Sequence, residues 1–313
     1  MAGVQNKEDY TNYCNEAGNI SLFHQPWWLN AVCGGLNWDV VSYEEPGKIT
    51  AFLPFYIKKK AIIKGAVMPP ATPYLGPVFK VQPGLNQRKR GSLIRNATRS
   101  LVTQLSPYDY THIQCAPGYG DHLSFYWEDF RQTVKYTHRI LVDEKDALWN
   151  LMSKNTRKHI TKAEKKWKVV ETQIVEDFIP LYAAHFAKKN IPMPLTGDRL
   201  RILDDQLVKR NQRRIFSIVD DYGKMLTALY VVHDDQYSYH LLTGTDFGLR
   251  DNDAGTLNFW EAIKWSMDRR LRVDFVGSMI AGVVEFQLGF NPEIIGYHSL
   301  KKSKNKIIQT LKA

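Results

Sequence analysis

"RDNDAGTLNFWEAIKW", Arg250–Trp265, passes from a polar turn into a helical pattern in which Asn258 and Glu261 make a capping-box-like pair. Two readings are open. The turn is either ordinary helix initiation, or a place where the first helical N–H groups hold an anion. Those groups lack internal partners, and the macrodipole adds about half a positive charge there. Its neighbours give the stretch a position in a fold. Upstream, "RRIFSIVD", "KMLTALYVV" and "QYSYHLLTGT" are β-rich runs separated by turn-forming residues, which predicts an antiparallel meander over 213–245. Downstream, "LRVDFVGS" reads as a strand, "AGVVEFQLGF" as a helix and "EIIGYHSLKK" as a closing strand.

Further upstream, "DEKDALWNLMSKNTRKHITKAEKKWK" (143–168) has helical spacing, with Ile160, Ala163 and Trp167 on one face. From Lys154 to Lys168 seven Lys or Arg stand against one acidic residue, Glu164. This basic face, with Arg157 and Lys158, is either a solvated helix surface or an anion-facing one. "WKVVETQ" follows as a short strand, then a helix with Pro180 tolerable only near its start, then a helix with Leu200, Leu203 and Leu207 in phase behind Thr196 as N-cap. The order of the half is strand, two helices, three strands, helix, strand, helix, strand.

The first half repeats the later part of that order. "WDVVSYEE", "ITAFLPFYIKKK" and "AIIKGAVMPP" are β-rich, "NQRKRGSLIRNATRSLVTQL" is helical and "YTHIQCAP" is a strand. A shift of about 160 residues aligns Ile113 with Val273, Phe130 with Phe290, His138 with His298 and Ile140 with Leu300, as duplication of a domain would. The expectation is a mixed α/β (α+β) chain of two tandem domains, residues 1–142 and 143–313, each a mostly antiparallel sheet flanked by helices.

Composition narrows the class. The 313 residues, 44% hydrophobic, are enough for two cores. Cys14, Cys33 and Cys115 are too widely spaced for a disulfide framework or a zinc site, so no metal is expected. No segment reaches about 18 uninterrupted apolar residues, and a cytoplasmic, non-spanning protein is expected. The net charge of +10 favours anionic partners without choosing among them.

The ordered series resembles the GNAT acyltransferase fold, with "QYSYHLLTGT" as its fourth strand and the stretch from Arg250 as its donor loop and helix. Two such domains in one chain resemble the Fem-type family and its FemAB-like acetyltransferase relatives, as do "LFHQPWWLNAV", "PPATPYLGP", "NTRKHITKAEKK", "YHLLTGTD" and "VDFVGSM". The Fem-type enzymes transfer amino acids from aminoacyl-tRNA in peptidoglycan synthesis. The resemblance implies an N-acyltransferase using acetyl-CoA or another acyl-CoA with an amine acceptor, or alternatively aminoacyl-tRNA. The family's pyrophosphate loop reads Gln or Arg, two residues, Gly, any residue, then Gly or Ala. Arg250 and Gly255 match the ends of that pattern, and Asp253 replaces its first glycine. Thr243, Gly244, Thr245, Thr256 and Asn258 complete the implied donor site.

In this fold the acyl group lies between splayed fourth and fifth strands, where a strand N–H polarises the carbonyl. Alternation puts Tyr239 on one face of its strand and His240 on the other. His240 is either a proton relay or a structural histidine. Asp274, followed by Ser278 at the strand end, either accepts the nucleophile's proton or pairs with Arg272 or a backbone amide. Trp27 and Trp28 are expected to pack an N-terminal helix. In "MPPATPYLGP", Thr72, Tyr74 and Gly76 shape an acceptor cleft or a rigid crossover loop. A non-catalytic GNAT-like protein that binds a ligand or nucleic acid is the remaining alternative.

Overall fold

The computed structural model describes residues 2–18, 20–188, 190–246, 248 and 252–304. The elements of the first repeat are α1 (Ala2–Glu16), α2 (Pro26–Cys33), β1 (Trp38–Glu45), β2 (Ile49–Lys60), β3 (Ile63–Val67), β4 (Val78–Val81), α3 (Gln87–Thr103), β5 (Tyr110–Gln114), α4 (Leu123–Trp127) and β6 (Arg131–Ile140). The second contributes α5 (Lys145–Leu151), α6 (Lys154–Glu164), β7 (Val169–Thr172), α7 (Val175–Lys188), α8 (Gly197–Lys209), β8 (Arg213–Val219), β9 (Met225–His233), β10 (Tyr237–Thr245), α9 (Asn252–Asp268), β11 (Arg272–Asp274), α10 (Ala281–Leu288) and β12 (Glu293–Ser303).

The chain forms two compact units, one of Met1–Lys135 with the segment from Gly296, the other of Tyr136–Ile295. This differs from a boundary at 142/143 because the closing strands are exchanged. In the first unit β5 pairs with β12, Ile113 opposite Leu300. In the second, β11 pairs with β6, Val273 opposite Ile140. Both pairings are antiparallel, and the same 160-residue shift relates them. The duplication is therefore visible in register as well as in element order, and each unit is completed by the last strand of the other repeat.

The first unit orders its strands β1-β2-β3-β5-β12, with β4 also on β2. Its core gathers Leu53, Phe55, Leu101, Ile113, Phe125 and Leu300. Trp28 of α2 is fully buried, with its indole N–H donating to Thr72 Oγ1 at 2.9 Å.

In the second unit the order is β6-β11-β10-β9-β8-β7, antiparallel except for β10 with β11. The meander expected over 213–245 is β8, β9 and β10. Leu200, Leu203 and Leu207 are fully buried behind Thr196, whose hydroxyl accepts from the Arg199 amide at 3.5 Å. Two local readings change. The expected helix over 143–168 is two helices, because Ser153 starts a second one by accepting from the Thr156 amide. Pro180 lies inside α7 rather than in its first turn. Helix α9 packs on β8, β9 and β11, while α7 packs on β9 and β10.

Candidate functional site

β10 and β11 run parallel for three residues, ending with Tyr239 opposite Asp274. Beyond that pair β11 stops and β10 continues for six residues, so the sheet opens between them. At the same point β10 carries a bulge. Its register against β9 passes from His240 to Leu242, leaving Leu241 without a partner in either ladder among the described residues. A bulge adds a residue to one strand and shifts its side-chain alternation. The strict alternation expected for this strand is therefore interrupted. His240 and Leu241 both face the opening, followed by Thr243 and Thr245.

The opening is a cavity of ≈ 450 Å³. Strand β10, the first turns of α9, the Val276–Ser278 turn and α10 wall it. His240 is 4% exposed, and neither ring nitrogen has a hydrogen-bond partner among the described residues. Its ring lies 5.1 Å from those of both Phe259 and Phe275. Burial in this aromatic setting lowers its pKa to about 3, so the imidazole is neutral at neutral pH. Asn258, 1% exposed, donates from Nδ2 to the Thr227 carbonyl at 3.2 Å, and its Oδ1 has no partner among the described residues. Buried polar atoms are normally paired. These three orphaned atoms belong to two residues of the cavity wall.

The turn after β11 is held by a buried ion pair. Asp274 is fully buried, and its carboxylate accepts from Arg139 Nε at 2.7 Å, Thr137 Oγ1 at 2.6 Å and the Val276 amide at 2.8 Å. Arg139 also lies over the Tyr237 ring at 4.4 Å. The partner is thus Arg139 of β6 rather than Arg272. Asp274 does not line the cavity; it fixes Val276 and Gly277, which do.

Asp253, 4% exposed, directs its carboxylate to α6, where His159 Nδ1 and Lys162 Nζ (2.6 Å) donate to it. The basic helix and the start of α9 are therefore one place, and Asp253 is neutralised by α6 instead of confronting the cavity. Gly255 lines the cavity, and a Cβ there would meet nothing within 4 Å. Asp253→Ala is expected to lower stability by about 1 kcal/mol through the lost hydrogen bonds. It also removes the carboxylate partner of Lys162 beside a helix N-terminus, so coenzyme A binding is expected to tighten about fivefold, more at low salt. Titration at two salt concentrations checks both signs.

Of the residues singled out in the sequence, His240, Thr243, Thr245, Gly255, Asn258 and Ser278 converge on this cavity. Ser278 Oγ accepts from the Ile280 amide at 3.1 Å. Thr256 is buried in α9 but is not part of the wall, and Arg250 lies outside the described residues. Tyr239 is buried, and its hydroxyl donates to Asp234 at 3.1 Å. Gly244 serves packing, since a Cβ there would stand 2.7 Å from the Leu181 Cβ of α7. Arg157 is half-buried and Lys158 exposed on α6. In the first unit, Thr72 binds Trp28, Tyr74 packs edge-on to Tyr297 at 5.1 Å, and the Gly76 carbonyl lies 3.1 Å from His24 Nε2. These three build the interior of their own unit, as a rigid crossover loop does. The sequence reading missed Phe259, Phe275 and Gln287 as wall residues. Aromatic residues in apolar company carry only a core signal.

A family model described as an acetyltransferase (GNAT) domain matches residues 152–282. No curated protein sequence matches the chain. Among solved structures, that of FemX superposes with a TM-score of 0.68 at 12% identity, covering 98% of both chains. L-PGS from Bacillus licheniformis gives 0.58 at 9% identity, covering 97% of this chain and 94% of its own. A tandem GNAT protein from the clavulanic acid biosynthesis pathway gives 0.51 at 12% identity, covering 97% and 95%. At such identities the likeness is one of fold. Among the described residues no helix is long and apolar enough to cross a membrane, and no cluster suits a metal ion. Residues 152–282 are thus similar to an acetyltransferase (GNAT) domain, and the chain shares its fold with FemX and with the tandem GNAT protein.

Proposed function

We propose that the chain is an N-acyltransferase that takes an acyl group from acyl-CoA in the cavity between β10 and β11 and passes it to an amine. The observation that carries this reading is the parting of the two strands at Tyr239 and Asp274, with the orphaned ring of His240 inside the opening. The amine attacks the acyl carbonyl, the C–N bond forms, the C–S bond breaks, and the proton released by the amine balances the departing thiolate. Backbone N–H groups of β10 at the Leu241 bulge stabilise the carbonyl oxygen as charge develops on it, a task that needs no side chain. A ring with a pKa of about 3 is a weak proton acceptor at neutral pH, so His240 acts as a neutral hydrogen-bonding group that positions the donor. Thr243, Thr245, Gly255 and Asn258 line the donor's path, and the start of α9 with the basic face of α6 receives its phosphates.

Aminoacyl-tRNA is the second donor considered, favoured by the exposed Lys158, Lys165 and Lys166 on and just after α6. Melting curves with acetyl-CoA, longer acyl-CoAs and aminoacyl-tRNA separate the two. A ligand held by the native state alone adds about 2.7 kcal/mol at a hundredfold excess over its Kd. A rise with acyl-CoA and none with aminoacyl-tRNA is expected. A rise with tRNA alone, lost steeply with salt, overturns the acyl-CoA reading.

A further inference from the structure

The wall of the cavity bears on which acyl group is transferred. Among the described residues lining it there is no Asp, Glu, Lys or Arg. Its apolar side is Phe259, Phe275, Val283 and Phe286, and its polar side consists of hydroxyls, amides and the His240 ring. That ring is kept uncharged by burial. The polar groups of the wall residues, the His240 ring and the Asn258 amide among them, are uncharged, and none supplies a countercharge. Among the described residues, two cations of the adjoining elements are engaged elsewhere, Lys162 on Asp253 and Arg139 on Asp274, and neither is in the wall.

We propose that this cavity selects donors whose transferred acyl group is uncharged, and that it discriminates against acyl groups bearing an ammonium or a second carboxylate. The inference rests on the acyl-transfer reading and deepens it by naming the substrate class. The physical ground is that a charge taken from water into a wall with no opposite charge loses hydration without compensation. An aminoacyl group carries such an ammonium next to the reacting carbonyl, and a malonyl or succinyl group carries such a carboxylate. A plain or hydroxylated acyl chain carries neither, and the aromatic side covers its carbons.

The test holds the coenzyme A portion constant. Free CoA, butyryl-CoA, β-alanyl-CoA and malonyl-CoA are titrated calorimetrically into the full chain. Butyryl and β-alanyl groups have nearly the same shape and differ by one charge. Butyryl-CoA is expected to bind at least as tightly as CoA, with β-alanyl-CoA and malonyl-CoA weaker than butyryl-CoA by about 30-fold or more. Thr243 lies in the wall and is solvent-exposed, so Thr243→Asp adds a carboxylate to the site without disturbing a packed core. It is expected to close most of the gap for β-alanyl-CoA and to widen it for malonyl-CoA. Binding of β-alanyl-CoA within about threefold of butyryl-CoA, with CoA itself bound, overturns the charge selection and leaves the donor site standing. Failure of CoA and every thioester to bind overturns the donor reading and this inference with it.

Discussion

Gly277→Ala is expected to destabilise the protein by about 2–5 kcal/mol, seen as a lower urea midpoint with an unchanged slope. Gly277 has φ 72°, in the left-handed region, and follows Val276, which is itself at φ 53°. A Cβ on Gly277 would lie 2.3 Å from the Tyr136 carbonyl oxygen and 3.2 Å from the Thr137 Cα. The obstruction is backbone of the adjoining strand, which no side-chain rotation can move. Strain at positive φ adds about 1–2 kcal/mol, and displacing packed backbone about 1–3 kcal/mol. The same turn walls the cavity, so the surviving folded fraction is also expected to transfer acyl groups poorly. Gly255→Ala is the contrasting case. Its Cβ meets nothing within 4 Å and it sits in a helix, so a gain of about 0.5–1 kcal/mol is expected, together with weaker donor binding because the methyl occupies the cavity wall. Equal effects of the two substitutions on stability would contradict the turn described after β11.

The second large effect is acid sensitivity. His240 titrates near 6.5 when unfolded and at about 3 in the native protein, the shift being caused by burial. Above pH 6.5 both states hold it neutral and it contributes no pH dependence. As pH falls below 6.5 the unfolded chain takes up a proton that the native state refuses, and native stability is lost at about 1.4 kcal/mol per pH unit. The loss continues until the native pKa is reached, amounting to about 4–5 kcal/mol over the window. His24, buried in the first unit with its pKa lowered to about 4, works in the same direction. His240→Leu removes one of these contributions. Between pH 7 and pH 5, unfolding by urea is expected to show the variant losing about 2 kcal/mol less than the parent chain. Equal losses would mean that His240 is solvated, and its place in the cavity would have to be withdrawn.

Helix and strand patterns were legible because they are local. The Leu200, Leu203 and Leu207 spacing, the Thr196 cap and the β-rich runs of the meander involve residues within a turn or a strand of one another, and each appears where expected. The split of 143–168 at Ser153 was less legible, because the apolar phase continues across it while the cap interrupts the backbone. Within the site, His240, Asn258 and Gly255 were found through their place in the ordered series. Asp274 was noticed as an unusual strand aspartate, but its role depends on a partner 135 positions away.

The sequence by itself determined the element order, which follows from periodicity and short-range propensity, and the internal repeat; its resemblance to the GNAT series pointed to β10 as the strand beside the candidate site. Tertiary structure decided the rest. It set the bulge that turns His240 and Leu241 onto one wall, and the exchange that seats β12 beside β5 and β6 beside β11. It also determined that the carboxylate of Asp253 is spent on α6. The reason is physical: ladder register and the pairing of a buried charge are chosen by competition among distant segments for the same few partners, and no local pattern records the outcome.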